Sequence, residues 1–165
     1  MLEAGKTMRK SVYVETTVPS AYVSRRQDAR SLYRRQITRQ WWSEQRRNFD
    51  VLTSQEVFRE LNAFDFPGRS EAVEMLRSVS LLEITEDVVA ISEVYVHEKL
   101  MPGPVGRGDG LHLAVAAFHG IDFLVTWNIR HMANLNKAEH MVVLNRRLAL
   151  LTPVILTPEM LWLET

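Results

Sequence analysis

The sequence predicts one doubly wound α/β domain, a mainly parallel β-sheet flanked by helices. Three observations predict it. Short β-rich runs alternate with helical stretches at the spacing of βαβ units, which pack only as right-handed crossovers onto a parallel sheet. The 165 residues suffice for one such domain with a proper core and are marginal for two. Apolar residues make up 46% and charged residues 24%, the balance of an ordinary globular protein.

The elements follow in order. Met1 to Lys10 is polar and patternless and reads as a flexible tail ahead of a domain over residues 11–165. Ser11-Val-Tyr-Val is a short strand that stops at Glu15-Thr-Thr, and Pro19 sits where a first helical turn tolerates it. Asp28 is placed to cap a helix from Ala29 to Arg47, with Leu32, Tyr33, Ile37 and Trp41 at helical spacing. Phe49 to Thr53 is a second strand, after which Ser54 caps a helix holding Val57, Phe58 and Leu61. Asp65-Phe-Pro-Gly punctuates the chain before a helix over Ser70 to Ser78 and a brief strand from Leu81 to Ile84. Thr85 to Leu100 is amphipathic, with Val88, Ile91, Val94 and Tyr95 inside. A breaker-rich loop leads to the most apolar helix, opened by Asp109 and closed by Gly120 as a left-handed cap. Asp122 to Thr126 is a buried strand, followed by one or two helices ending near Leu151. Pro153 to Leu156 is the last strand, and Thr157-Pro-Glu starts a short C-terminal helix.

Composition excludes several classes. Without cysteine there is no disulfide framework, thiolate metal site or cysteine nucleophile. No apolar run is long enough for a bilayer span, and the first residues lack a signal peptide's apolar stretch, so a cytoplasmic location is expected. Lys+Arg and Asp+Glu both number 20, so net charge says nothing about partners. Its distribution says more. Eight arginines lie between Arg25 and Arg47, and Arg25, Arg26, Arg30 and Arg34 are candidates for contacts to nucleic-acid phosphates, against the alternative of a solvated helix face.

In open α/β sheets ligands bind outside the carboxyl ends of the strands. Glu15 follows the first strand and Asn128 follows Asp122 to Thr126, while Glu60 and Asp109 lie near helix starts. Each has a bland alternative: a helix-surface glutamate at Glu60, a plain cap at Asp109 or Asn128, a strand end at Glu15.

These residues carry a resemblance. Val12-Tyr-Val-Glu-Thr-Thr-Val-Pro-Ser20 resembles the opening strand and helix of the PIN-domain family, especially the VapC-like toxins. Ser54 to Leu61 is similar to its second acidic motif, Asp109 to Ala117 to its D-A-L-H-L-A helix, and Phe123 to His131 to its last acidic turn. Each motif is short; the order of all four is what makes the match specific. The resemblance implies a magnesium- or manganese-dependent ribonuclease, the toxin of a pair neutralised by a small antitoxin, acting on RNA and expected as a homodimer. Glu15 and Asp109 would be the main metal ligands, Glu60 a ligand or water-orienting base, and Asn128 an auxiliary ligand. Two positions depart from the family: Glu15 stands where aspartate is usual, and Asn128, which can offer only a neutral oxygen, stands where aspartate is frequent. That departure puts a second metal in question more than a first.

The chemistry asks for such a cluster. Phosphodiester hydrolysis needs an activated water and stabilised charge on the phosphate, and a hard divalent cation held by carboxylates supplies both. Crowded carboxylates without metal repel, so at least one should have a raised pKa. His112 reads as a packed residue in or behind the site and His131 as near the cleft; neither is assigned catalysis, and no zinc spacing exists. Trp41 and Trp42 divide between base stacking and core. Three rival functions remain. A degenerate PIN fold would bind RNA or protein without cutting. A phosphoacceptor domain would need a lysine after its last strands and a lone aspartate after a middle one, and no aspartate follows the first or second strand; a dehydrogenase would need a G-x-G-x-x-G after the first, which is missing.

Overall fold

A computed structural model describes residues 8–164. The expected tail falls mostly on residues 1–7, outside the described residues. Five strands, β1 (Ser11–Val14), β2 (Asp50–Thr53), β3 (Ser80–Leu81), β4 (Phe123–Val125) and β5 (Val154–Leu156), form one all-parallel sheet in the order β3-β2-β1-β4-β5. Between them run α1 (Thr17–Val23), α2 (Ala29–Gln40), α3 (Gln55–Ala63), α4 (Arg69–Leu76), α5 (Glu86–His97), α6 (Gly108–Phe118), α7 (Ile129–Met132) and α8 (Leu135–Arg147). This is the doubly wound α/β class that the sequence predicts.

The strand order explains where a site can lie. The chain steps from β1 outward to β2 and β3, then returns past β1 to β4 and β5. The packing groups α1 with α2 and α4, and α5 with α6, while α3 touches both α4 and α6. Because the winding reverses between β1 and β4, the helices part there and leave a crevice at the carboxyl ends of those two strands. The central strand is apolar on both faces: Val12, Tyr13 and Val14 are all fully buried. Helix α6 is buried on every side from Gly110 to Ala117 and packs on α5. Asp28 caps α2 by accepting from the Ser31 N–H at 3.0 Å, and Gly120 closes α6 at φ +66°.

Four expectations need correction. The helix expected to reach Arg47 ends at Gln40 and continues as a π-helical turn, Trp41–Gln45, and a 3₁₀ turn, Arg46–Asn48. The wider turn carries Trp41 and Gln45 both inward, where Trp41 Nε1 donates to the Leu161 carbonyl at 2.8 Å and Gln45 Nε2 to the Leu163 carbonyl at 3.3 Å. The expected C-terminal helix is a single turn after Thr157, beyond which side chains of residues 41 and 45 bond the Leu161 carbonyl and the Leu163 backbone. Tyr33, expected inside, is half exposed, and Thr38 is the buried residue of α2. The third strand is two residues, Ser80–Leu81, rather than Leu81 to Ile84.

Candidate active site

Glu15, Glu60, Asp109 and Asn128 come from four separate segments and line one cleft of about 420 Å³ at the carboxyl ends of β1 and β4. The topology brings them together. Glu15 leaves β1 directly, Asn128 follows β4, Asp109 lies in the first turn of α6, and Glu60 sits on α3, which packs against α6.

Glu15 is only 2% exposed. Its Oε1 accepts from the Thr17 N–H at 2.9 Å and from the Thr17 hydroxyl. Burial nonetheless pushes its carboxyl up, with a charged His112 and those hydrogen bonds offsetting part of the effect. Asp109 is likewise raised, first by burial and further by the neighbouring charge of Glu60. Neither forms an ion pair among the described residues. Asp109 is not a helix cap, since Arg107 holds that position; its Oδ2 instead accepts from Asn128 Nδ2 at 3.2 Å. Asn128 makes no side-chain cap bond to α7 either.

Glu60 behaves in the opposite way. Burial raises it, but the hydrogen bond and charge of His112, with the Thr16 hydroxyl at 2.8 Å, outweigh burial and hold it below the usual carboxylate range. His112 is fully buried; burial lowers its pKa, yet Glu60 first, then Glu15 and Asp109, raise it overall. A protonated His112 donates from both ring nitrogens, from Nε2 to Glu60 and from Nδ1 to the Tyr13 oxygen 2.7 Å away. Tyr13 must then donate to Ser54 Oγ, also at 2.7 Å, and burial keeps its hydroxyl protonated by raising its pKa far above the ordinary value. Ser54 thus spends its hydroxyl on Tyr13 rather than on capping α3.

Glu56, one turn before Glu60, is the more buried glutamate at 4% exposure. It pairs with Arg59 and accepts the Gly108 N–H at 3.0 Å. That N–H is presented by a turn in which Gly108 has φ +65°, a conformation that favours glycine. The clamp fixes the start of α6, and with it Asp109, against α3.

The arginine run divides by role. Arg35 and Arg39 donate to the carbonyls of Ser24 and Tyr22 and pin α2 to the end of α1. Arg46 stacks on Trp42, its guanidinium carbon 4.2 Å from the ring centroid, beside Ser11 and Asp50 at the amino end of the sheet. Trp41 is buried, so the tryptophan pair lies away from the cleft. Arg26 and Arg34 line the carboxylate cleft, and Arg30 and Arg34 line an adjoining hollow of about 490 Å³ with Trp127, Asn128, Arg130 and His131. Arg34 is stacked over Trp127 at 5.3 Å, while Trp127 donates to Thr38 Oγ1 through its indole and to Thr17 Oγ1 through its backbone. Arg25 lines a neighbouring pocket with Arg26, Phe66 and Pro67.

Hard oxygen donors facing one cleft, two of them carboxylates outside any salt bridge among the described residues, are the donor type a hard divalent cation takes. Among the described residues no three Asp, Glu or His side chains stand close enough to hold one as positioned. Glu60 is turned onto His112 and Thr16, and Glu15 back onto Thr17. Glu15 and Asp109 are the two cleft carboxylates outside any salt bridge among the described residues, whereas Glu60 is already engaged by His112 and Thr16. Sequence reasoning missed Tyr13, Thr16, Thr17 and Thr126 around Glu15. The only signal for the threonines is position: each stands just beyond a strand, where side chains point into the crevice. No family model and no curated protein sequence matches the chain.

Proposed function

We propose that this chain is a PIN-type, magnesium- or manganese-dependent endoribonuclease. The observation that carries the reading is the convergence of Glu15, Glu60, Asp109 and Asn128 on one cleft whose rim holds Arg26 and Arg34. A bound hard cation lowers the pKa of a water and withdraws charge from a phosphate oxygen. Glu15 and Asp109 supply the charge that holds it. Glu60, kept ionised by His112 and Thr16, accepts a hydrogen bond from the attacking water and orients it toward phosphorus. Asn128 holds the Asp109 carboxylate in place from one side. Arg26, Arg30 and Arg34 neutralise neighbouring phosphates and set the strand's path along the cleft.

The role of toxin in a pair with a small antitoxin, the homodimer and the cytoplasmic location belong to the same proposal and rest on the resemblance in motifs. Among the described residues no helix is long and apolar enough to cross a membrane. A second reading, a PIN fold that binds RNA without cutting it, draws on the neutral Asn128 and on the engagement of Glu60 by His112 and Thr16. One experiment separates the two. A mixed RNA pool is incubated with magnesium, with manganese and with chelator, using wild type and Asp109→Asn. Metal-dependent cleavage that the variant lacks supports the nuclease; retention of RNA with no cleavage in either metal leaves the binding module.

A further inference from the structure

Beside the carboxylate cleft lies a second pocket of about 540 Å³, lined by Ser20, Ser24, Arg25, Arg26, Phe66 and Pro67. Ser20, Ser24 and Arg26 line both, so the two are continuous. We infer that this pocket receives one unstacked base of a single-stranded RNA whose backbone crosses the carboxylates, an inference that rests on the nuclease reading of the adjoining cleft.

The lining has the chemistry of a stacking site with little hydrogen-bond readout. The Ser20 hydroxyl is spent on the Thr16 carbonyl at 2.8 Å, and Ser24 Oγ accepts the Arg26 N–H at 3.4 Å. Apart from the Ser24 O–H, what remains is the half-buried ring of Phe66, the face of Pro67 and the guanidinium groups of Arg25 and Arg26. An aromatic ring accepts the π-face of any base, and arginines beside it attract the flanking phosphates. An apolar peptide side chain would fit the floor but would make no use of those two arginines.

The wall is also preformed. Phe66 and Pro67 stand on a turn that is tied down rather than free: Arg69 N–H donates to the Phe66 carbonyl at 3.2 Å and Arg69 Nη1 to the Phe64 carbonyl at 3.3 Å. Gly68 has φ +89° and packs so closely on α1 that a Cβ there would lie 2.9 Å from Val23 Cβ. A site held open before binding costs less ordering entropy when filled. A base can enter only if it is unpaired and flipped out of its stack, so the pocket selects single strands.

The test uses a labelled six-nucleotide RNA and a series in which each base in turn is replaced by an abasic site. Affinity is measured in calcium, with strand integrity checked on a gel. Wild type should lose roughly 5- to 100-fold in affinity at one abasic position and little at the others. Phe66→Leu keeps the apolar packing but removes the ring; it should bind the intact strand as weakly as wild type binds the sensitive abasic strand, with no further loss at that position. Phe66→Tyr should restore the wild-type pattern, and far-ultraviolet circular dichroism should show all three folded. Uniform affinity along the abasic series, or full affinity in Phe66→Leu, overturns the assignment. So does a wild type that binds no single strand. A protein with the positional signature that cuts nothing in magnesium keeps the base site and loses the nuclease; one that cuts RNA without the signature loses the base site alone.

Discussion

Replacing His112 with alanine tests whether the group behind the carboxylates is charged. The ring is fully buried, and truncating a buried aromatic side chain costs about 3–5 kcal/mol; the small imidazole belongs near the lower end, about 3 kcal/mol. Its charge-assisted bond to Glu60 adds about 1.5–3 kcal/mol, taken at the low end because Glu60 is 29% exposed. The total, about 4–5 kcal/mol, is a large share of the 5–15 kcal/mol that typically holds a domain together. Only the second part depends on pH. His112 is raised in the folded protein, so its contribution is full below the unfolded value of about 6.5 and fades as pH rises through the raised folded value. Glu60 is lowered, so its contribution is full above about 4.3 and fades as pH falls through the folded value. The pair is therefore strongest between those two values. Urea unfolding in chelator, at about pH 5.5 and about pH 9, of wild type, His112→Ala, Glu60→Gln and the double variant gives the coupling directly. The coupling should be about 1.5 kcal/mol or more at the lower pH and shrink at the higher. Equal coupling at both, or growth with pH, refutes a protonated His112.

Asn128→Asp exchanges a donor to Asp109 for a like charge, so the metal-free protein should melt lower, and magnesium titration calorimetry should show a new or strengthened second site; an unchanged isotherm argues that Asn128 does not limit metal number. Replacing Arg25, Arg26, Arg30 and Arg34 together by alanine should weaken binding of single-stranded RNA and flatten its salt dependence by about 0.7 in log–log slope for each phosphate no longer neutralised, whereas an unchanged slope returns the run to solvated surface. Gly68→Ala meets both a left-handed backbone and Val23, and about 2–4 kcal/mol of destabilisation by thermal or urea melting is expected. Glu15→Gln should do the reverse above the raised folded value: it removes a buried charge that favours the protonated state, so metal-free stability at neutral pH should rise while metal affinity falls. A less stable variant would show that the Thr17 hydrogen bonds outweigh burial.

The alternation of β-rich runs with helices, the Asp28 cap and the Gly120 stop were all legible in the sequence, because each is set by neighbours a few residues apart. So was the grouping of Glu15 and Asn128, since parallel strands deliver whatever follows them to one edge. The end of α2 was not. Helical periodicity runs on through Trp41, and the π turn there coincides with bonds from Trp41 and Gln45 to the carbonyls of Leu161 and Leu163, more than a hundred residues away.

The same division runs through the candidate site. By itself the sequence determined which residues carry oxygen donors and which end of the sheet they reach. Only the tertiary structure decided their surroundings: it set Glu60 against His112, Tyr13 against Ser54 and Glu56 against Gly108, and left Glu15 and Asp109 outside any salt bridge among the described residues. Those partners are separated by 52, 41 and 52 residues in the chain. A carboxyl's pKa depends on what burial removes and what charge approaches, and both are fixed by packing between elements that no local pattern encodes.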